Sequence, residues 1–245
     1  MKDERELQEL APLPVKEENW LPQEFKRANS WEKAAWFISA VFHPLIIPTY
    51  MFGLVLWVSP QVALSGNTAI AWPLWSLLLL ATFVLPVLSL LSMFWFGQLQ
   101  SLHMHELHER RQPFIWVSIL YAILTGFFTY RFPQLPVINM MLIGVTLVIM
   151  VVTTVSRSWK ISAHAAGLGG AVGGLSGLML FFVAPLLLSV VVLFLVISGI
   201  VMWARLYLNH HTPKQVWVGW FAGFAICLAI AAFFERIINY LPVEQ

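Results

Sequence analysis

Three short segments hold nearly all the groups in this 245-residue chain that could do chemistry. The first is Leu102-His103-Met104-His105-Glu106-Leu107-His108-Glu109-Arg110-Arg111-Gln112-Pro113. The second is Arg157-Ser158-Trp159-Lys160-Ile161-Ser162-Ala163-His164. The third is Arg205-Leu206-Tyr207-Leu208-Asn209-His210-His211-Thr212-Pro213-Lys214-Gln215. Together they offer guanidinium forks and an ammonium for anionic oxygens, a hydroxyl donor, and imidazoles at two separate places. That inventory suits a phosphoryl group, with one imidazole free to attack and another to move a proton. His103, His105 and His108 lack the four-residue spacing of a helical zinc pair, so no metal and no cofactor are expected. Asp3 is the only aspartate, and any chemistry beyond the N-terminal tail must do without one.

The spacing resembles the type 2 phosphatidic acid phosphatases, the superfamily that includes the vanadium haloperoxidases. Its three motifs are Lys-x6-Arg-Pro, Pro-Ser-Gly-His and Ser-Arg-x5-His-x3-Asp. Arg205 and His211 reproduce the third, with Gln215 at the Asp position and Val216 and Gly219 continuing the match. Ser162-Ala163-His164 fits the second. Arg111-Gln112-Pro113 is a shifted form of the first, with His105 where Lys is expected. The resemblance covers roughly residues 100 to 225. It implies a helical bundle, a phospho-histidine intermediate on His211, and His164 protonating the leaving oxygen. It also implies phosphate binding by Arg205, Lys160, Ser162 and one arginine of the 110–111 pair, taken as Arg111.

The departures from the pattern concern turnover more than binding. Gln215 replaces the carboxylate that orients the nucleophilic histidine. An amide carries no charge to stabilise imidazolium and can favour the wrong tautomer; in a hydrolytic triad the same exchange costs about 10^4-fold in rate. Ala204 stands for Ser, Ala163 for Gly, and Gln112 for the first-motif Arg. Glu106 and Glu109 are the only nearby carboxylates that could take over the orienting role. The expectation is therefore a hydrolase of lipid phosphates or pyrophosphates, with a protein that only binds or moves a lipid phosphate as the alternative. A transporter-like bundle is disfavoured, because paired inverted repeats and buried acidic coupling sites are missing.

The elements that must position these groups are membrane helices. The chain is 59% hydrophobic and 11% charged, against about 25% charged in soluble domains. That excludes a soluble globule, a disordered chain and, with a net charge of +2, a nucleic-acid binder. The single cysteine, Cys227, excludes an intramolecular disulfide. Residues 1–33 form a polar tail with no apolar core, and residues 34–241 form the transmembrane domain, with its motifs at 102–113, 160–164 and 204–219. Stretches free of Asp, Glu, Lys and Arg predict seven spans, at 35–58, 72–97, 114–130, 137–156, 163–183, 186–208 and 216–238. Pro44 and Pro48 interrupt the first, which leaves six if that segment is re-entrant. The fold class is all-α.

Parity brings the three reactive segments to one face. Twelve of the fourteen Lys and Arg then share that face with the tail, leaving Arg131 and Arg236 opposite. By the positive-inside rule the tail is cytoplasmic, and a bacterial inner membrane is the expected location. The expected partners are membrane lipids, a lipid phosphate among them; no oligomeric state is specified. Arg110, Arg157 and Lys214 read as anchors on anionic lipid, each worth about 1 kcal/mol. His43 reads as an ordinary membrane histidine, since no motif surrounds it. The glycine run Gly167–Gly177 has no Lys and no preceding strand, so it reads as a small-xxx-small packing stripe instead of a nucleotide loop.

Overall fold

The structure is a computed structural model. It describes residues 28–98 and 110–240, with the last four as backbone only. The tail before residue 28, His103, His105, Glu106, His108 and Glu109 lie outside the described residues. Among the described residues nine helices follow in order: α1 (Ser30–Val41), α2 (Ile47–Val58), α3 (Pro60–Leu64), α4 (Thr68–Trp95), α5 (Arg111–Arg131), α6 (Pro136–Val155), α7 (Ala163–Phe181), α8 (Pro185–Tyr207) and α9 (Pro213–Tyr240). Six of them, α4 to α9, are long and apolar enough to cross a membrane. On α8, Leu188, Val192, Leu193, Val196 and Ile200 are exposed on the outside of the bundle, as lipid-facing positions must be. The described residues form a bundle of helices without strands, the architecture of a polytopic membrane protein.

The expected first span is two helices instead of one. Pro44 has no N–H and biases His43 away from the helical region, so α1 stops at Val41 and α2 restarts at Ile47. Each has twelve residues, about 18 Å of helix, against a hydrocarbon core of about 30 Å. A capping box opens α1: the Glu32 N–H donates to Asn29 Oδ1, and the Asn29 N–H donates to Glu32 Oε2. α1 packs on α8 near the end of the bundle that carries the polar loops, with Trp31 on Trp203 and Trp36 on His210. α2 runs to the other end, where Trp57 meets Trp72 and Trp75. The chain therefore changes ends through α2 although neither helix is long enough to span.

α7 is the most buried of the long helices and packs most extensively on α9. The reason is a reciprocal pair of small-residue stripes. A Cβ at Gly169 would overlap the Trp220 carbonyl, and one at Gly173 the Phe224 carbonyl. In return, a Cβ at Gly223 would overlap the Ala166 carbonyl, and one at Gly219 would sit 2.8 Å from the Ser162 oxygen. Gly219, Gly223, Cys227 and Ala231 recur every fourth residue on α9, so the α7 run has a partner stripe. Lipid offers no hydrophobic drive for helix pairing, and close backbone approach supplies dispersion contacts instead. Hydroxyl pairs add polar links between helices: Thr49 with Thr82, Ser118 with Thr153, and Thr125 with Thr146.

Within α4 the residues Leu80–Val84 widen into a π turn just before Pro86. Proline has no N–H for the Thr82 carbonyl four residues back. That carbonyl accepts the buried Tyr121 hydroxyl of α5 instead, which satisfies a group that hydrocarbon would otherwise leave unpaired.

Candidate functional site

A cavity of about 340 Å³ opens among α2, α4, α5, α6 and α7 at the polar-loop end. Its arginine and histidine walls are His43, Arg110, His164, Arg205 and His211. The rest is mostly apolar, with Met51, Leu90, Val117, Val148 and Ile149 among the wall residues. The volume lies at the low end of small-ligand sites, roughly 300–1,000 Å³.

His211 sits in the α8–α9 connection, just before α9, and is 7% exposed. Its Nδ1 lies 3.2 Å from the Lys160 carbonyl oxygen and 3.3 Å from Gln215 Oε1. The amide is oriented by its second bond: the Thr212 backbone N–H donates to the same Oε1 at 3.0 Å. Both neighbours of Nδ1 are thus acceptors, so Nδ1 carries the proton and Nε2 keeps its lone pair. The expectation that an amide could favour the wrong tautomer does not hold here. Thr212-Pro213-Lys214-Gln215 has the form of a capping box, with the side chain of the third helical residue closing back on the N-cap N–H. The same contact that starts α9 holds His211. Burial, then the guanidinium groups of Arg205 and Arg110, push the His211 pKa down to about 3. The ring is therefore neutral across the physiological range, as a nucleophile requires.

Arg205 lies in the last turn of α8 and is 8% exposed. Its Nε is buried without a hydrogen-bond partner among the described residues. A buried, unsatisfied guanidinium nitrogen is costly, and the same guanidinium-bearing residue lines the cavity. His164 lies in the first turn of α7, and its Nε2–H donates to the Ser39 carbonyl at 3.1 Å. Ser39 belongs to α1, so the helix before the Pro44 break fixes the tautomer of His164.

The structure brings some of the expected residues together and not others. His211, His164 and Arg205 line one cavity, and Gln215 supports His211 from behind. Arg111 is exposed and is not part of the wall; the cavity arginine of that pair is Arg110, which is buried. The expected lipid-anchor role for Arg110 gives way to a place inside the site. One residue step decides between neighbours here, because consecutive residues on a helix point about 100° apart. The Lys160 side chain is not a cavity wall; the residue contributes its carbonyl to His211. Ser162 is fully buried as the N-cap of α7, its Oγ accepting from the Ala165 N–H, and it is also absent from the wall. His43, expected to be an ordinary membrane histidine, lines the cavity, its ring centroid 5.6 Å from that of His164. The His-Pro pair at the break in the first segment is the signal that could have found it.

Comparison of the chain with protein-family models, curated proteins and solved structures gives no match.

Proposed function

We propose that this membrane protein handles the head group of a lipid phosphate or pyrophosphate, which enters the cavity between Arg110, Arg205, His164 and His211. The reading resembles the type 2 phosphatidic acid phosphatases in its residues. The observation that carries it is the shared cavity: two arginines line it together with a neutral histidine whose Nε2 has no hydrogen-bond partner among the described residues. Arginine forks match phosphate oxygens, and the apolar wall suits the start of a hydrocarbon chain.

In the hydrolytic form of the proposal, His211 Nε2 attacks phosphorus and the bond from phosphorus to the lipid oxygen breaks. The departing oxygen takes a proton that enters on the monoanionic phosphate group and is relayed through Nδ1 of His164, since Nε2–H stays on Ser39. Water then attacks the phospho-histidine and gives a proton back to His164 as the P–N bond breaks. Arg205 and Arg110 balance the charge on the non-reacting oxygens. The excess of Lys and Arg at the polar end supports a cytoplasmic orientation for it, and a bacterial inner membrane is the proposed location.

A binding protein without turnover is the second reading, and Gln215 is the observation that favours it. Gln215 sets the tautomer of His211 but brings no negative charge to the ring. Purified full-length protein separates the two readings through hydrolysis of a dioctanoyl lipid phosphate and binding of inorganic phosphate. Arg205→Ala is expected to weaken phosphate binding by about 100-fold, since it removes two charge-assisted bonds. Gln215→Asp is expected to raise hydrolysis. If wild type and Gln215→Asp are both inactive yet phosphate binds and depends on Arg205, the binding reading wins. If neither activity nor binding appears, both readings fail.

A further inference from the structure

We propose that His43 is a neutral ligand of the bound phosphoryl group, donating from Nε2; this rests on the lipid-phosphate reading above and extends its site beyond the three reactive segments. His43 stands in the turn between α1 and α2 and lines the same cavity as Arg110, Arg205, His164 and His211. Its Nδ1 accepts from the Leu45 backbone N–H at 3.4 Å. That bond places the ring proton on Nε2, which has no hydrogen-bond partner among the described residues. The free atom of His43 is therefore an N–H donor.

The geometry gives this donor a use. The His43 and His164 rings meet edge to face at 5.6 Å between centroids. His164 has its Nε2–H committed to Ser39, so its open atom toward a ligand is an acceptor until it is protonated. A phosphoryl group there has only oxygens to offer and needs donors. Two guanidinium groups already share the cavity, and a third cation would add like-charge repulsion. A neutral imidazole N–H adds a hydrogen bond without that repulsion, in the manner of an oxyanion-hole donor. The break in the first segment then has a purpose: Pro44 and Pro48 end α1 early and start α2 late, and the turn between them delivers His43 to the cavity.

The test is binding of inorganic phosphate to the full-length protein in detergent, measured by calorimetry at pH 7.5 for wild type, His43→Phe, His43→Gln and Arg205→Ala. His43→Phe keeps a ring of similar size without the donor and is expected to bind about 10-fold more weakly or worse. His43→Gln places an amide N–H near the position of Nε2 and is expected to stay within about 3-fold of wild type. A role in packing alone predicts the reverse order, with the ring-preserving Phe tolerated and Gln damaging. Wild-type binding that depends on Arg205 but is unchanged in His43→Phe overturns this inference and leaves the lipid-phosphate reading standing. Absence of phosphate binding in wild type overturns both.

Discussion

His211→Ala abolishes hydrolysis of a short-chain lipid phosphate, a loss of at least about 10^4-fold, if the chain turns its substrate over through a phospho-histidine. Removing the nucleophile of a covalent mechanism leaves only binding and charge stabilisation, whose residual effect is small beside the whole. The variant should still fold. The His211 Nδ1–H donates to the Lys160 backbone carbonyl and to Gln215 Oε1, and the Thr212–Gln215 contact that starts α9 does not involve its ring. Phosphate binding should persist through Arg205 and Arg110. Retention of hydrolysis within a factor of ten of wild type would remove His211 from the nucleophile's role, and a steady-state assay with a thermal-shift control distinguishes that from misfolding.

The second large effect is on folding. Gly173→Leu is expected to yield no monodisperse protein in detergent, while Gly126→Leu yields as much as wild type. A side chain at Gly173 would overlap the Phe224 carbonyl of α9. No rotamer moves a Cβ away from backbone, so α7 and α9 would have to separate. Ordinary core overpacking costs about 1–3 kcal/mol, and here the loss extends to the interface on which the bundle is built. Gly126 is exposed on α5 with nothing within 4 Å of an added Cβ. Size-exclusion profiles of the two variants side by side decide the point. Similar profiles would mean that the α7–α9 stripe does not hold the bundle together.

The long helices were legible because charge is excluded from hydrocarbon: the stretch from Gln112 to Tyr130 predicted α5, and the stretch from Phe132 to Ser156 predicted α6. The glycine stripe of α7 was legible for the same reason, since no other use of Gly167–Gly177 fits an apolar helix. Its partner on α9 was not, because Gly219, Gly223, Cys227 and Ala231 are spread among large side chains and only their common face groups them. The first segment was read as one interrupted span. Its hydropathy is continuous across His43, and only backbone chemistry at Pro44 separates α1 from α2.

The site was half legible. Spacing put Arg205, His211 and Gln215 within reach of one another, and parity brought His164 to the same face. Composition could not choose between Arg110 and Arg111, which differ only in the direction each leaves the chain. It could not see that Gln215 would present its oxygen, because the Thr212 N–H that orients the amide is a backbone group. Main-chain contributions from Ser39 and Lys160 are invisible to any reading of side-chain types. His43 escaped because it comes from the far end of the chain, about 120 residues from His164, with no motif around it.

The central claim is that one phosphate-sized anion sits among these residues. The most direct measurement is an experimental structure of the full-length protein with tungstate, whose anomalous signal locates the ion without ambiguity. The account predicts a single strong peak in the cavity, within hydrogen-bond distance of the Arg205 guanidinium and facing His211 Nε2, and its loss in Arg205→Ala. A cavity filled only by detergent or lipid tail, with tungstate absent or bound elsewhere on the surface, would contradict it.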